Sequence, residues 1–143
     1  MRNGGHVTWT ENFGVDIDKQ ALEQIVHGHR ASRAAALRAA NKILIEDTDP
    51  ILTCVWADML LGQRQPWMQD DLDPADLYLL TDIDFDWVDD GTRYFNDNAQ
   101  RQRFHTLCEK ELVNRKLPYL KISGDRETRF ASAVSAIQTR YPL

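Results

Sequence analysis

A chain of 143 residues, 43% hydrophobic and 27% charged, has the size and balance of one folded domain, which excludes a disordered tail. No run approaches the roughly 18 consecutive apolar residues of a membrane span, so no membrane partner is expected. The net charge of −5 hides ten Asp against one basic residue from Pro66 to Asp97, then nine Lys or Arg against four acids from Asn98 onward; this is not the continuous basic footprint of a nucleic-acid surface.

The N-terminal stretch MRNGGHVTWTENFG has no apolar core of a secretion signal, and the expected location is cytoplasmic. The first element is a helix from about Asp18 to Ala40. Leu22, Ile25, Val26, His29, Ala36, Leu37 and Ala40 share one stripe, with Asp16 or Asp18 as cap. Gly28 is a modest penalty inside it, and His29 reads as a packed core histidine. Ile43, Leu44 and Ile45 then form a short apolar run ending in carboxylates, expected to be a strand buried on both faces. ILTCVWADMLLG reads as a helix ending at Gly62, with QRQPWMQDDLDP as loop.

A second buried strand is expected from about Ala75 to Asp82, followed by a turn or short helix in DWVDDGTR. A long charged helix from about Asn98 to Arg115 has Phe104, Leu107, Cys108 and Leu112 on its inner side. A third strand starts after Pro118 and reaches Gly124. The last helix, from about Arg126 to Thr139, is expected to bury Phe130, Val134 and Ile137. Strands alternating with helices predict an α/β domain with a parallel sheet, one domain over residues 1–143. Cys54 and Cys108 stand alone, without ligand-spaced partners, which fits a reduced compartment.

Ligands of open α/β sheets bind outside the carboxyl ends of the strands. Two expected strands end in acids there: Glu46, Asp47 and Asp49, then Asp82, Asp84 and Asp86. An aspartate closing an apolar strand, as in ILIED, is what a Walker B arrangement uses to hold Mg²⁺ near phosphates; it is also a common cap. A small anionic ligand with a metal suits the charge asymmetry, as do plain solvated helix faces. The phosphate cradle G-x-x-x-x-G-K-[ST] is absent, since none of Gly4, Gly5, Gly14, Gly28, Gly62, Gly91 and Gly124 is followed by Lys and then Ser or Thr. Neither G-x-S-x-G nor H-E-x-x-H occurs.

ILIEDTDPILTCVWADMLLGQRQPW, ADLYLLTDIDFDWVDDGTRYF and RQRFHTLCEKELVNRKLPYLKISGD, in this order, resemble the ribosylnicotinamide kinase domain of the NadR type over roughly residues 14–137. The resemblance implies a three-layer P-loop kinase-like parallel sheet, and transfer of the ATP γ-phosphoryl group to the ribose 5′-hydroxyl of nicotinamide riboside. It implies Mg²⁺ and ATP, with Asp47 as the acid near the metal and Asp49 beside the nucleoside. Trp87 would stack on the cationic pyridine ring, and Asp90 would contact the same pocket. Arg93, with Arg101 and Arg103 in a lid-like segment, would neutralise the transferring phosphoryl group. Ser123, Gly124 and Asp125 would lie near the adenine. Asp84, Asp97 and Arg115 read as structural.

Members of that family open with a strand, a P-loop, a helix and a second strand, and Met1 falls after all of these. The expectation is therefore an N-terminally incomplete or diverged nucleoside kinase domain, with a non-catalytic nucleoside-binding or regulatory module as the alternative. The oligomeric state is left open, a homo-oligomer included.

Overall fold

Aspartate punctuates this chain. A computed structural model describes residues 17–69, 72–85 and 97–141, and each α-helix among them starts immediately after an Asp. Helix α1 (Lys19–Ala39) follows Asp18, α2 (Pro50–Leu60) follows Asp49, α3 (Asn98–Asn114) follows Asp97 and α4 (Arg126–Arg140) follows Asp125. Each carboxylate accepts the backbone N–H three residues on, from Ala21 at 2.8 Å, Leu52 at 3.0 Å, Gln100 at 2.8 Å and Thr128 at 2.8 Å. The first N–H groups of a helix have no partner within it, and a negative charge there also meets the positive end of the helix dipole. Such a cap is worth about 1 kcal/mol.

The described residues fall into two compact units, one ending at Pro74 and the other starting at Ala75. In the first, α1 packs on α2 through Leu22 and Val26 against a helix that buries Ile51, Thr53, Cys54, Val55 and Ala57. Met68, in a 3-10 turn at Pro66–Gln69, and Leu72 complete this core. The segment expected to be plain loop thus supplies two of the most deeply buried side chains. The apolar stripe of α1 fades after its middle: Leu37 is 53% exposed, contrary to expectation.

The strand expected at residues 42–46 does not form. The segment carries no strand assignment, and Ile45 is 79% exposed. A strand exists by virtue of a ladder partner, and among the described residues the ladder joins only β1 (Tyr78–Thr81) and β2 (Tyr119–Ile122).

These two strands, in the second unit, are parallel as expected, with Tyr78 opposite Tyr119 and Thr81 opposite Ile122. The pairing continues beyond both ends, through Tyr78 N–H to Pro118 O at 2.9 Å and Asp82 N–H to Ile122 O at 2.8 Å. They are not buried on both faces: only Ile122 is fully buried, and Leu120 is 38% exposed. Helix α3 buries Leu112 and Glu111, with Phe104, Leu107 and Cys108 half-buried. It ends in a left-handed turn at Lys116, φ +57°, where Lys116 N–H reaches Val113 O and Leu117 N–H reaches Leu112 O. These two bonds satisfy the last carbonyls of the helix. Helix α4 lies against β2 yet buries no residue completely; Phe130, expected inside, is 72% exposed. No helix among the described residues is long and apolar enough to cross a membrane.

Candidate functional site

The turn Glu46–Asp49 in the first unit holds the expected metal-facing acid. Its neighbours are committed to structure. Glu46 lies 3.3 Å from Arg33 of α1, and Asp49, only 7% exposed, caps α2. Thr48 takes φ +77°, a conformation that crowds a β-branched residue, and its hydroxyl sits 3.4 Å from His29 Nε2. Glu46 and Asp47 are both exposed, but of the three acids Asp47 alone has no hydrogen-bond or ion-pair partner among the described residues. The expected role of Asp49 beside a nucleoside competes with its cap, which occupies one carboxylate oxygen.

His29 is half-buried rather than a fully packed core residue, and its Nδ1 is buried without a partner. Arg33 is a residue that no motif or spacing in the sequence singles out, yet it anchors this turn: it also reaches the backbone oxygen and the carboxylate of Asp73.

In the second unit, the carboxyl ends of β1 and β2 meet in a network around Arg129. Its Nε donates to Gly124 O at 2.7 Å and its Nη2 to Asp82 O at 3.0 Å, and it pairs with the Asp84 carboxylate. The guanidinium lies 4.5 Å from the centre of the Phe85 ring, a cation–π distance. Asp84 also accepts the Gly124 N–H at 2.6 Å. Gly124 is required here, since φ is +90° and a Cβ would come within 3.2 Å of Thr128 Cγ2.

Of the three residues expected near the adenine, Gly124 therefore has both peptide groups engaged. Asp125 is engaged as the α4 cap: the Thr128 hydroxyl, and after it the Thr128 backbone N–H, hold its carboxyl below the usual carboxylate range. Ser123 is exposed, and its side chain has no partner among the described residues. The structural reading of Asp84 holds, with a more specific task than the sequence disclosed. His105, on α3, also approaches this edge: its Nε2 lies 3.8 Å from Asp82 Oδ1, too far for a hydrogen bond.

Arg101 and Arg103 both lie in the first turns of α3. Two residues apart on a helix means roughly 200° around its axis, so one phosphoryl group cannot face both from a fixed helix. Arg101 is half-buried and donates to Asn98 Oδ1 at 3.0 Å, whereas Arg103 is exposed and lines a shallow groove with Gln102, Thr106 and Lys110. Trp87, Asp90 and Arg93 lie outside the described residues.

Among the described residues no three His, Cys, Asp or Glu side chains converge as a metal cage. A single exposed carboxylate fits Mg²⁺ of the kind held by one acid, phosphates and water, rather than an all-protein site. Asp47 has that character.

The comparisons with known proteins show the family. The AAA domain family matches residues 1–129. The trifunctional NAD biosynthesis/regulator protein NadR of Escherichia coli (strain K12) is 28% identical over 119 residues, covering 81% of this chain and 29% of that protein. NadR of Salmonella typhimurium (strain LT2) is 28% identical over 126 residues, 86% of this chain and 30% of that protein. The chain thus spans less than a third of the length of these curated relatives. It belongs to the AAA domain family, and its likeness to both NadR proteins supports a NadR-like P-loop kinase domain within it.

Proposed function

We propose that this chain is a nucleoside kinase-like domain that binds a pyridine nucleoside, with nicotinamide riboside as the preferred acceptor, and faces Mg-ATP through Asp47. The observation that carries the reading is the state of Asp47: exposed and unpartnered among the described residues, between a Glu46 tied to Arg33 and an Asp49 tied to its helix. An acid that is left unpaired while its neighbours are fixed is available to a ligand at no cost in broken contacts.

Asp47 would hold Mg²⁺, which when bound would supply neutralising charge to the transferring phosphoryl group. The chain's own part is positional. Arg33 and the α2 cap fix the turn that carries Asp47. Trp87 and Asp90 are assigned to the pyridine nucleoside and Arg93 to the phosphoryl group, in keeping with the resemblance. Arg103, the exposed one of its pair, is the better placed of the two α3 arginines to meet phosphate charge.

The absence of G-x-x-x-x-G-K-[ST] from these 143 residues favours a second reading, a binding module without turnover. Calorimetry with nicotinamide riboside and with Mg-ATP, alongside a phosphoryl-transfer assay, separates the two. Riboside binding lost in Trp87→Ala, together with Mg²⁺-dependent nucleotide binding lost in Asp47→Asn, supports the kinase-like reading. Riboside binding with no affinity for Mg-ATP selects the module, and binding of neither overturns both.

A further inference from the structure

Asp47 stands between two residues that α1 holds. Glu46, before it, forms the ion pair with Arg33, and Thr48, after it, has its hydroxyl 3.4 Å from His29 Nε2. His29 and Arg33 are four residues apart on α1 and so lie one above the other on a single face. A hydroxyl can donate or accept, so the Thr48 contact serves either tautomer of the imidazole. Arg33 extends the grip to the backbone oxygen and the carboxylate of Asp73. On the far side of the turn, Asp49 caps α2 and its carbonyl oxygen accepts the Thr53 hydroxyl at 3.3 Å.

Two features of this turn cost stability. Thr48 holds φ +77°, which crowds a β-branched side chain, and His29 Nδ1 is buried without a hydrogen-bond partner among the described residues. A turn that only joined α1 to α2 would relax both with a glycine at 48 and an apolar residue at 29. Strained backbone persists where its surroundings over-determine it. Here those surroundings are two side chains of one helix, gripping the chain on either side of Asp47.

We propose that His29 and Arg33 are positioning residues that hold Thr48 in its left-handed conformation and so fix the direction in which Asp47 meets a divalent cation. This rests on the reading of Asp47 as the acid that faces Mg²⁺, and it adds to that reading the strained residue and the second grip. A carboxylate oriented during folding has less freedom left to lose when the cation binds. Arg33 also keeps Glu46 occupied, so that the cation meets one free carboxylate rather than a pair competing for it.

The test uses the full chain in ¹⁵N-labelled form, titrated with Mn²⁺ alone. At about pH 8 an ordinary imidazole is neutral, so none of the grip variants, His29→Leu, Arg33→Lys and Thr48→Val, alters the local charge. Thr48→Ser keeps the hydroxyl, Thr48→Gly releases the strain, and Asp47→Asn removes the acid. Arg64→Lys, which alters the ion pair to Asp58 at the other end of α2, is the control. The expected result is that Mn²⁺ broadens the Asp47 and Thr48 amide signals of wild type and that Asp47→Asn abolishes this. The grip variants bind Mn²⁺ about tenfold more weakly, whereas Thr48→Ser and Arg64→Lys stay within about twofold of wild type. Thr48→Gly melts higher than wild type and still binds Mn²⁺ about tenfold more weakly, a combination that a purely structural contact would not give. Because that variant gains stability, it tests the proposal even where a grip variant fails to fold. Equal Mn²⁺ binding by wild type, the grip variants and Thr48→Gly overturns the positioning role while the reading of Asp47 stands. Broadening that is absent from Asp47 in wild type, or unchanged in Asp47→Asn, overturns that reading and the proposal with it.

Discussion

Arg33 Nε lies 3.3 Å from Glu46 Oε2, joining the middle of α1 to the turn that carries Asp47. The distance is that of an ion pair, but the Nε–H is not aligned as a hydrogen bond, since the atom is buried without a hydrogen-bonding partner. The two side chains are 16% and 24% exposed, so solvent screens the attraction only in part. Removing Arg33 leaves Glu46 less compensated and also takes away the contacts of Arg33 to Asp73. Arg33→Ala is therefore expected to cost about 1–2 kcal/mol in urea unfolding. Glu46→Gln, which keeps the shape, is expected to cost less than half of that.

Two backbone positions offer gains in stability. Gly28 is an exposed residue in the interior of α1, and a Cβ there would meet nothing within 4 Å. Gly28→Ala should stabilise by about 0.5–1 kcal/mol, because alanine loses less backbone entropy on entering a helix. Lys116 occupies the left-handed position after α3 that favours glycine. Lys116→Gly should add about 1 kcal/mol by relieving that conformation. Thermal midpoints a few degrees above wild type would show both gains.

The first unit's core predicts the opposite sign. Leu22 is 1% exposed and Val55 1% exposed where α1 packs on α2. Leu22→Ala should cost about 2–5 kcal/mol, the lost transfer of a buried side chain plus the cavity it leaves. Denaturant midpoints measure it, and a loss under about 1 kcal/mol would mean that α1 does not depend on this contact.

The pair formed by Glu109 and Lys121 sets a pH window. Lys121 Nζ lies 2.9 Å from Glu109 Oε2, and Tyr119 donates to the same carboxylate at 3.2 Å. The hydrogen bond from Lys121 holds the Glu109 carboxyl below its ordinary value of 4.5, and the same bond raises the Lys121 ammonium above 10.5. A depressed acid contributes stability above its unfolded value, lost as pH falls through the folded one. A raised base contributes stability below its unfolded value, lost as pH rises through the folded one. The pair is thus whole between about pH 4.5 and about pH 10.5. Both side chains are about a third exposed, so the effect is small. Glu109→Gln should trail wild type slightly in urea midpoint at neutral pH, and the gap should close as pH falls below 4.5. A gap that persists unchanged after Glu109 has been titrated to its neutral form would mean that packing, not charge, underlies it.

Much of this architecture is local chemistry that a reader of the sequence can follow. Asp18, Asp49, Asp97 and Asp125 mark the helix starts to the residue, and the apolar runs at Tyr78 and Tyr119 become the paired strands. The run Ile43–Ile45 has equal apolar character and no ladder, because strand pairing depends on a neighbour that the run itself does not encode. The same limit applies to the candidate site. Asp47 stands out beside its apolar run, whereas Asp84 and Arg129 are 45 residues apart and nothing local links them. Helical periodicity predicts burial of Phe130, but periodicity shows which face is apolar, not whether anything covers it.

Helix α4 has a consequence of its own. With no fully buried residue and Phe130 open to water, its attachment to β2 relies on Arg129 and half-buried contacts more than on a core. Its amides should open and reclose many times for every global unfolding event, exchanging with deuterium well before those around Leu22 and Val55. A slow, uniform exchange rate across both regions would instead mark one cooperative unit. Melting of the chain should accordingly be graded, with helical signal from the C-terminal end lost ahead of the rest.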